Sequence, residues 1–160
     1  MILDEKLRNG EVIVLDGATG TEVARRGVAM DRTAWCGVAN RTHPDVVREV
    51  HESYIRAGAD VVTANTFATC RHVLETAGLG EETVAINRRA VELAIAAREA
   101  AAADRPVAIA GSMSTMRGWE PGTINPDPRH VPSTEQEAAN FREMADTLAE
   151  AGVDFILMEM

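Results

Sequence analysis

Four short apolar runs, at residues 12–15, 61–63, 107–110 and 155–158, begin 49, 46 and 48 residues apart. This even spacing constrains the fold more than any other feature of the chain. Each run is bounded by Gly, Pro or Asp, and three of the four are rich in β-branched residues. None alternates apolar with polar positions, so each is expected to be covered on both faces, as strands of a parallel sheet are. The interval between runs leaves room for one helix and a loop.

The intervening segments carry helical periodicity. Residues 44–57 place Val46, Val47, Val50, Tyr54 and Ile55 on one face, with Pro44 suited to the first helical position. Residues 82–102 carry the stripe Ile86, Ala90, Leu93, Ala94 and Ala97. Residues 134–151 open with the capping-box pattern Thr134-Glu135-Gln136-Glu137 and are expected to bury Ala138, Phe141, Ala145 and Leu148. A shorter helix is expected over residues 70–77.

An internal repeat supports the pattern. Arg56-Ala57-Gly58-Ala59-Asp60 precedes the second run and Glu150-Ala151-Gly152-Val153-Asp154 the fourth, 94 residues later. Gly58 and Gly152 fit left-handed helix caps, which only glycine enters cheaply. Strand, crossover helix and parallel strand predict an α/β fold wound in the right-handed sense. Two closures compete: an open doubly wound sheet, or a (β/α)8 TIM barrel of which this chain supplies roughly the first four βα units. Met160 follows the fourth run directly, which favours the half-barrel; residues 1–160 are then the N-terminal half of a longer fold. Its open edges would favour self-association or a homo-oligomer. Residues 112–133 read as a 22-residue loop holding four of the six prolines, a length that points to a functional or mobile segment.

Composition removes several function classes. With 16 Lys+Arg against 25 Asp+Glu, a net charge of −9 makes nucleic acid a poor partner, because phosphate binding needs clustered cations. No apolar run approaches the roughly 18 residues of a membrane span, and no signal peptide is apparent. Cys36 and Cys70 are too few for a disulfide framework, so a reduced, cytoplasmic setting is expected.

In parallel α/β folds chemistry gathers where strands end. After the first run comes Asp16-Gly17-Ala18-Thr19-Gly20-Thr21-Glu22, after the second Ala64-Asn65-Thr66-Phe67, after the third Gly111-Ser112-Met113-Ser114-Thr115-Met116, and Glu159 closes the fourth. The Gly17–Gly20 turn suits an anion, and without a Lys or a nucleotide fingerprint a carboxylate is the expected guest. Asp16 and Glu159 could hold an ammonium beside it, which together suggests an α-amino acid. The same residues would also serve simply to shape a turn. Cys70 and His72 lack further ligands at zinc-like spacing, so they read as a first-turn cysteine and a surface histidine. His51 reads as helix surface, His43 as part of the turn before Pro44, and Cys36 as a buried small hydrophobe.

The segment Leu15-Asp16-Gly17-Ala18-Thr19-Gly20-Thr21-Glu22 resembles the opening motif of the zinc-dependent homocysteine S-methyltransferase family, whose members use betaine, S-methylmethionine or methyltetrahydrofolate. The resemblance continues through His43-Pro44-Asp45-Val46-Val47, His51-Glu52-Ser53-Tyr54 and Gly58-Ala59-Asp60-Val61-Val62-Thr63-Ala64-Asn65-Thr66-Phe67, and resumes around residues 107–112 and 149–159. It implies a (β/α)8 barrel, a methyl transferase of methionine biosynthesis, and zinc that activates the homocysteine thiol for attack on a small methyl donor. By that resemblance Asp16 and Glu159 bind the homocysteine amino group. Backbone at Thr19, Gly20 and Thr21 takes its carboxylate, and Asn65 and Thr66 line the pocket. The family's zinc-holding cysteines fall beyond residue 160 by the same resemblance, so these residues supply no metal ligand and no catalytic group of their own. The sequence Gly111-Ser112-Met113-Ser114 departs from the commoner Gly-Ser-Ile/Leu-Gly-Pro type, and this segment is expected to shape the donor side. The alternative is a non-catalytic amino-acid-binding half-barrel, or a split-barrel subunit that needs a partner chain.

Overall fold

Each long helix forms where an apolar stripe and an end signal coincide. In the computed structural model, which describes residues 3–102, 105–120, 123 and 125–159, the elements run α1 (Asp4–Arg8), α2 (Thr19–Arg25), α3 (Ala39–Thr42), α4 (Pro44–Arg56), β1 (Val61–Ala64), α5 (Arg71–Leu74), α6 (Thr83–Ala101), β2 (Ala108–Ser114), α7 (Thr134–Ala151) and β3 (Phe155–Glu159). Pro44 opens α4 at its first turn, where the missing N–H costs nothing. The predicted stripe of α6 is buried throughout. Among the described residues no helix is long and apolar enough to cross a membrane.

The strands form one parallel sheet in the order β1-β2-β3, with Val61 opposite Ala108 and Ala110 opposite Phe155. Helices α4, α6 and α7 pack in sequence over one side of it. The main core gathers Ile55, Val62, Leu74, Val91, Ile109, Met144 and Leu148 between sheet and helices, and a smaller cluster of Val61, Ala108 and Ala110 lies on the other face. All of β2 is buried, and for residues 108–110 this agrees with the apolar run.

The repeated Gly-x-Asp segments do matching work. Gly58 and Gly152 adopt φ of +108° and +99°, the left-handed conformation that ends α4 and α7. The aspartates then tie each incoming strand to its predecessor. Asp60 N–H donates to the Val14 carbonyl at 2.7 Å, while its Oδ2 accepts from Val14 N at 3.0 Å. Asp154 N–H donates to the Ile109 carbonyl at 2.8 Å, and its Oδ2 accepts from Ile109 N at 2.7 Å.

Several expectations need correction. Residues 12–15 form no strand; Leu15 makes one parallel bridge to Val61, beside the bonds to Val14. Among the described residues the segment has a backbone neighbour on one side alone, and Val12, Val14 and Leu15 are exposed. Residues 112–114 belong to β2 rather than to the following loop, of which Pro121, Gly122 and Ile124 lie outside the described residues. Likewise, the adjacency of Met160 to the last strand lies outside them. The cap of α7 is Ser133, whose hydroxyl accepts from Gln136 N at 3.2 Å, one residue earlier than the pattern suggested. Ala138 is exposed, because α7 turns Asn140 and Met144 inward instead. His51 and His72 are buried rather than superficial. Burial pushes the His51 pKa down to about 4, and neither ring nitrogen finds a hydrogen-bond partner among the described residues.

If the two aspartates are equivalent clamps, Asp60→Ala and Asp154→Ala should each lower stability by about 1–3 kcal/mol, the worth of a hydrogen bond to a charged group. Urea denaturation of the two variants checks this; a loss in one alone would break the equivalence.

Candidate functional site

The C-terminal ends of β1 and β2, the end of β3 and the start of α2 enclose a cavity of about 430 Å³. That volume suits a small metabolite. Its wall includes Asp16, the turn from Gly17 to Thr21, Met30, Trp35, Cys36, Thr63, Asn65, Phe67, Ser112 and Glu159. Asp16, Thr19, Gly20, Thr21, Asn65 and Glu159 of the expected set therefore share one space. Thr66 does not line it: this fully buried residue donates its hydroxyl to the Ser112 carbonyl at 2.8 Å, tying β1 to β2.

The turn owes its glycines to close packing. A Cβ on Gly17 would stand 2.8 Å from the Tyr54 hydroxyl, and one on Gly20 would stand 3.1 Å from both Cys36 Sγ and Met30 Cε. Thr19, Gly20 and Thr21 form the first turn of α2, whose N–H groups have no acceptor within the helix. Ala18 precedes them and offers no side-chain cap, so these donors are available to a guest.

Both carboxylates are held by hydroxyl groups of a neighbouring strand. Thr63 N–H donates to Asp16 Oδ2 at 2.8 Å and Thr63 Oγ1 to Asp16 Oδ1 at 2.9 Å. Ser112 Oγ donates to Glu159. Burial is the main cause that pushes the Asp16 pKa up to about 6; the Thr63 bonds oppose it, and the Glu159 charge adds to it. Among the described residues lining this cavity none is Lys, Arg or His. Two like charges thus face one small space with no cation of the protein between them.

Asn65 is committed to the scaffold. Its Nδ2 donates to the Cys36 carbonyl and to Asn40 Oδ1, both at 2.9 Å, and its Oδ1 accepts from Cys36 Sγ at 2.9 Å. Asn40 returns a bond to the Asn65 carbonyl at 2.8 Å. Burial raises the Cys36 thiol to about 11, so at neutral pH it is a protonated wall group.

Beside this space lies a second cavity of about 600 Å³, lined by Trp35, Phe67, Thr115, Met116, Arg117, Trp119 and Pro126. Trp35 stacks on Phe67 at 5.7 Å between centroids and meets Trp119 edge-on at 4.9 Å. Trp35 holds φ +47°, unusual for a bulky residue, in a turn closed by Asp31 Oδ1, which accepts from Thr33 N and Ala34 N at 2.8 Å each.

Thr63, Trp35, Cys36 and Asn40 are not among the site residues expected from the sequence, and Ser112 is expected there on the donor side rather than at a carboxylate. Thr63 sits in an apolar run whose pattern signals only burial and Ser112 in a segment that reads as loop, and pairing across strands is what brings both to the carboxylates. Among the described residues no group of three or more His, Cys, Asp or Glu is placed to hold a metal ion.

Residues 13–160 match the family model "Homocysteine S-methyltransferase". The homocysteine S-methyltransferase of Escherichia coli (strain K12) is 31% identical over 155 residues, covering 93% of this chain and 50% of that protein. The selenocysteine methyltransferase of Astragalus bisulcatus is 27% identical over 179 residues, covering 99% of this chain and 53% of that one. The metallated form of the E. coli homocysteine methyltransferase MmuM superposes with a TM-score of 0.80 at 27% identity, over 99% of this chain and 57% of that one. Its apo form superposes with a TM-score of 0.65 at 26% identity, over 98% of this chain and 51% of that one. The chain spans about half the length of the relatives it matches.

A carboxyl-resolved NMR titration should find Asp16 protonating near pH 6. Thr63→Val removes the hydroxyl donor and keeps the backbone one, so the midpoint should move upward. An unchanged or lower midpoint would contradict the geometry given for Thr63.

Proposed function

The chain belongs to the homocysteine S-methyltransferase family, and from that premise we propose that it supplies the part of the site that grips the amino and carboxylate groups of homocysteine. The observation that carries this reading is the pair Asp16 and Glu159, facing one cavity that no cationic side chain of the described residues lines. An ammonium group placed between them relieves the repulsion of two like charges and restores the solvation that burial removed. The first turn of α2 offers N–H donors and the positive end of the helix dipole to a carboxylate. An α-amino acid fills both needs at once.

In this reading Thr63 and Ser112 orient the two carboxylates, and Asn65 holds the wall at Cys36 and Asn40. Thr66 supports the strand ends without reaching the guest. The second, aromatic cavity is the donor side, where a small methyl donor would sit next to the homocysteine thiol. Methyl transfer to that thiol, giving methionine, is the reaction proposed for the whole enzyme.

Zinc would supply thiol activation in such an enzyme. The described residues do not fit it: Cys70 is enclosed beside His72, Cys36 is bonded to Asn65, and no third ligand stands with either. No step is therefore derived through a metal; its ligands are proposed to come from outside these 160 residues. Residues 1–160 are correspondingly read as the first part of a (β/α)8 barrel in a cytoplasmic enzyme. An amino-acid-binding unit that works only with a partner chain remains the competing account.

The amino-acid reading predicts that homocysteine binds the chain by calorimetry and that affinity falls as pH drops through about 6, because protonated Asp16 no longer attracts an ammonium. Asp16→Asn and Glu159→Gln should each weaken binding by about 10-fold or more, the equivalent of roughly 1.5 kcal/mol or above. Tight binding that ignores both substitutions would place homocysteine elsewhere.

The flank of β1 and the end of β3 favour association of the chain on its own. Val12 is 80% exposed and Met158 68%, the latter on β3, whose outer side pairs with no strand among the described residues. Sedimentation should show concentration-dependent dimers or larger species, reduced by Val12→Lys. A strict monomer at high concentration would remove this part of the reading.

A further inference from the structure

The segment that leaves β2 forms one wall of the aromatic cavity, and its seat is built from several contacts of unequal strength. Ser114 Oγ donates to the Phe67 carbonyl at 2.6 Å and accepts from Met116 N at 3.2 Å, which directs the chain as it departs. Arg117 pairs with Glu137 of α7 at 3.0 Å, but the arginine side chain is 37% exposed, and exposed pairs hold a loop weakly. Gly118 lies against Thr76 so closely that a Cβ there would run into the threonine side chain. Trp119 then stands edge-on to Trp35.

Within the same loop the Gly118 carbonyl accepts from Asp127 N at 2.9 Å and Trp119 bridges to Pro126, and one further anchor is fully enclosed. His72, 1% exposed, lies between this segment and α7. Its Nε2 is 3.0 Å from the Met116 carbonyl, which can only accept, so Nε2 carries the proton. Nδ1 then accepts from Cys70 Sγ at 3.3 Å and Asn140 Nδ2 at 3.4 Å, and the ring sits edge-on to Phe141 at 5.7 Å. Burial lowers the histidine pKa, in keeping with a neutral ring that donates from one side and accepts on the other. A buried hydrogen bond of this kind is costly to leave unmade, which sets it above the exposed Arg117 pair.

We propose that His72 is a positioning residue for the aromatic cavity: by holding the Met116 carbonyl it seats residues 116–119, and with them Trp119, against Trp35. It thereby sets the width of the space beside the amino-acid pocket and what that space admits. Its bearing on the methyl donor rests on the reading of that cavity as the donor side; its bearing on the tryptophan pair does not.

Two substitutions of similar polarity separate the contacts. His72→Gln reaches the Nε2 position and keeps a donor for Met116. His72→Asn reaches only the Nδ1 position, keeps the Cys70 and Asn140 side, and loses Met116. Trp35 and Trp119 are the chain's two tryptophans, so near-ultraviolet circular dichroism reports directly on their contact. The expected result is a tryptophan signal kept in His72→Gln and strongly reduced in His72→Asn, with far-ultraviolet spectra and homocysteine affinity unchanged in both. Fluorescence titration with S-methylmethionine and with betaine should show at least about fivefold weaker binding of whichever probe the unsubstituted chain takes, in His72→Asn alone. If the unsubstituted chain binds neither probe, the donor-side reading fails, while the dichroism still decides the role of His72. A full tryptophan signal in His72→Asn, or equal loss in both variants, would overturn the proposal.

Discussion

Asp60 grips the backbone of Val14 through both its amide and its carboxylate, and Asp154 grips Ile109 in the same way. These two clamps fix how β1 lies against residues 12–15 and how β3 lies against β2. Since side chains alternate along a strand, a slip of one residue would send every rim group to the opposite face. Thr63 would then lose Asp16, and Ser112 would lose Glu159. The geometry of the candidate site is in this sense set some distance below it, at the opposite ends of the strands.

The rim itself is assembled against an electrostatic cost. Asp16 is largely withdrawn from water, and its principal compensation is the pair of bonds from Thr63. Glu159 adds charge of the same sign, oriented by Ser112. Structural carboxylates of this chain are treated differently: Asp60 is paired with Lys6 at 2.7 Å and Glu143 with Arg71 at 2.6 Å. Asp16 and Glu159, by contrast, share a cavity that no Lys, Arg or His of the described residues lines. Beside them the first-turn N–H groups of α2 find no acceptor within the helix.

Much of this was readable along the chain, because it depends on local rules. The stripe of α6, the glycine caps at Gly58 and Gly152, the parallel strands and the gathering of Asp16, the Gly17–Gly20 turn and Glu159 each follow from periodicity or from one residue's conformational freedom. The misreadings fall where distant segments intervene. Residues 12–15 have the composition of a strand but find, among the described residues, a backbone neighbour on one side alone. His51 and His72 have the spacing of helix-surface residues, and it is tertiary packing that encloses them. Helix α7 begins at Thr134 as expected, but its capping side chain is Ser133, and Asn140 turns inward to meet His72.

The sequence by itself determined helices α4, α6 and α7, the three parallel strands and the polar, glycine-bearing character of the strand ends. Each of these elements is written in residues close together in the chain. Tertiary structure decided which hydroxyls hold the two carboxylates, that Thr66 and Asn65 serve the scaffold, and that Trp35, Phe67 and Trp119 close a second space beside the first. Those assignments join residues from 25 to 84 positions apart, and a contact across such a gap leaves no pattern in either segment, because its energy depends on the register between strands rather than on the local composition of the chain.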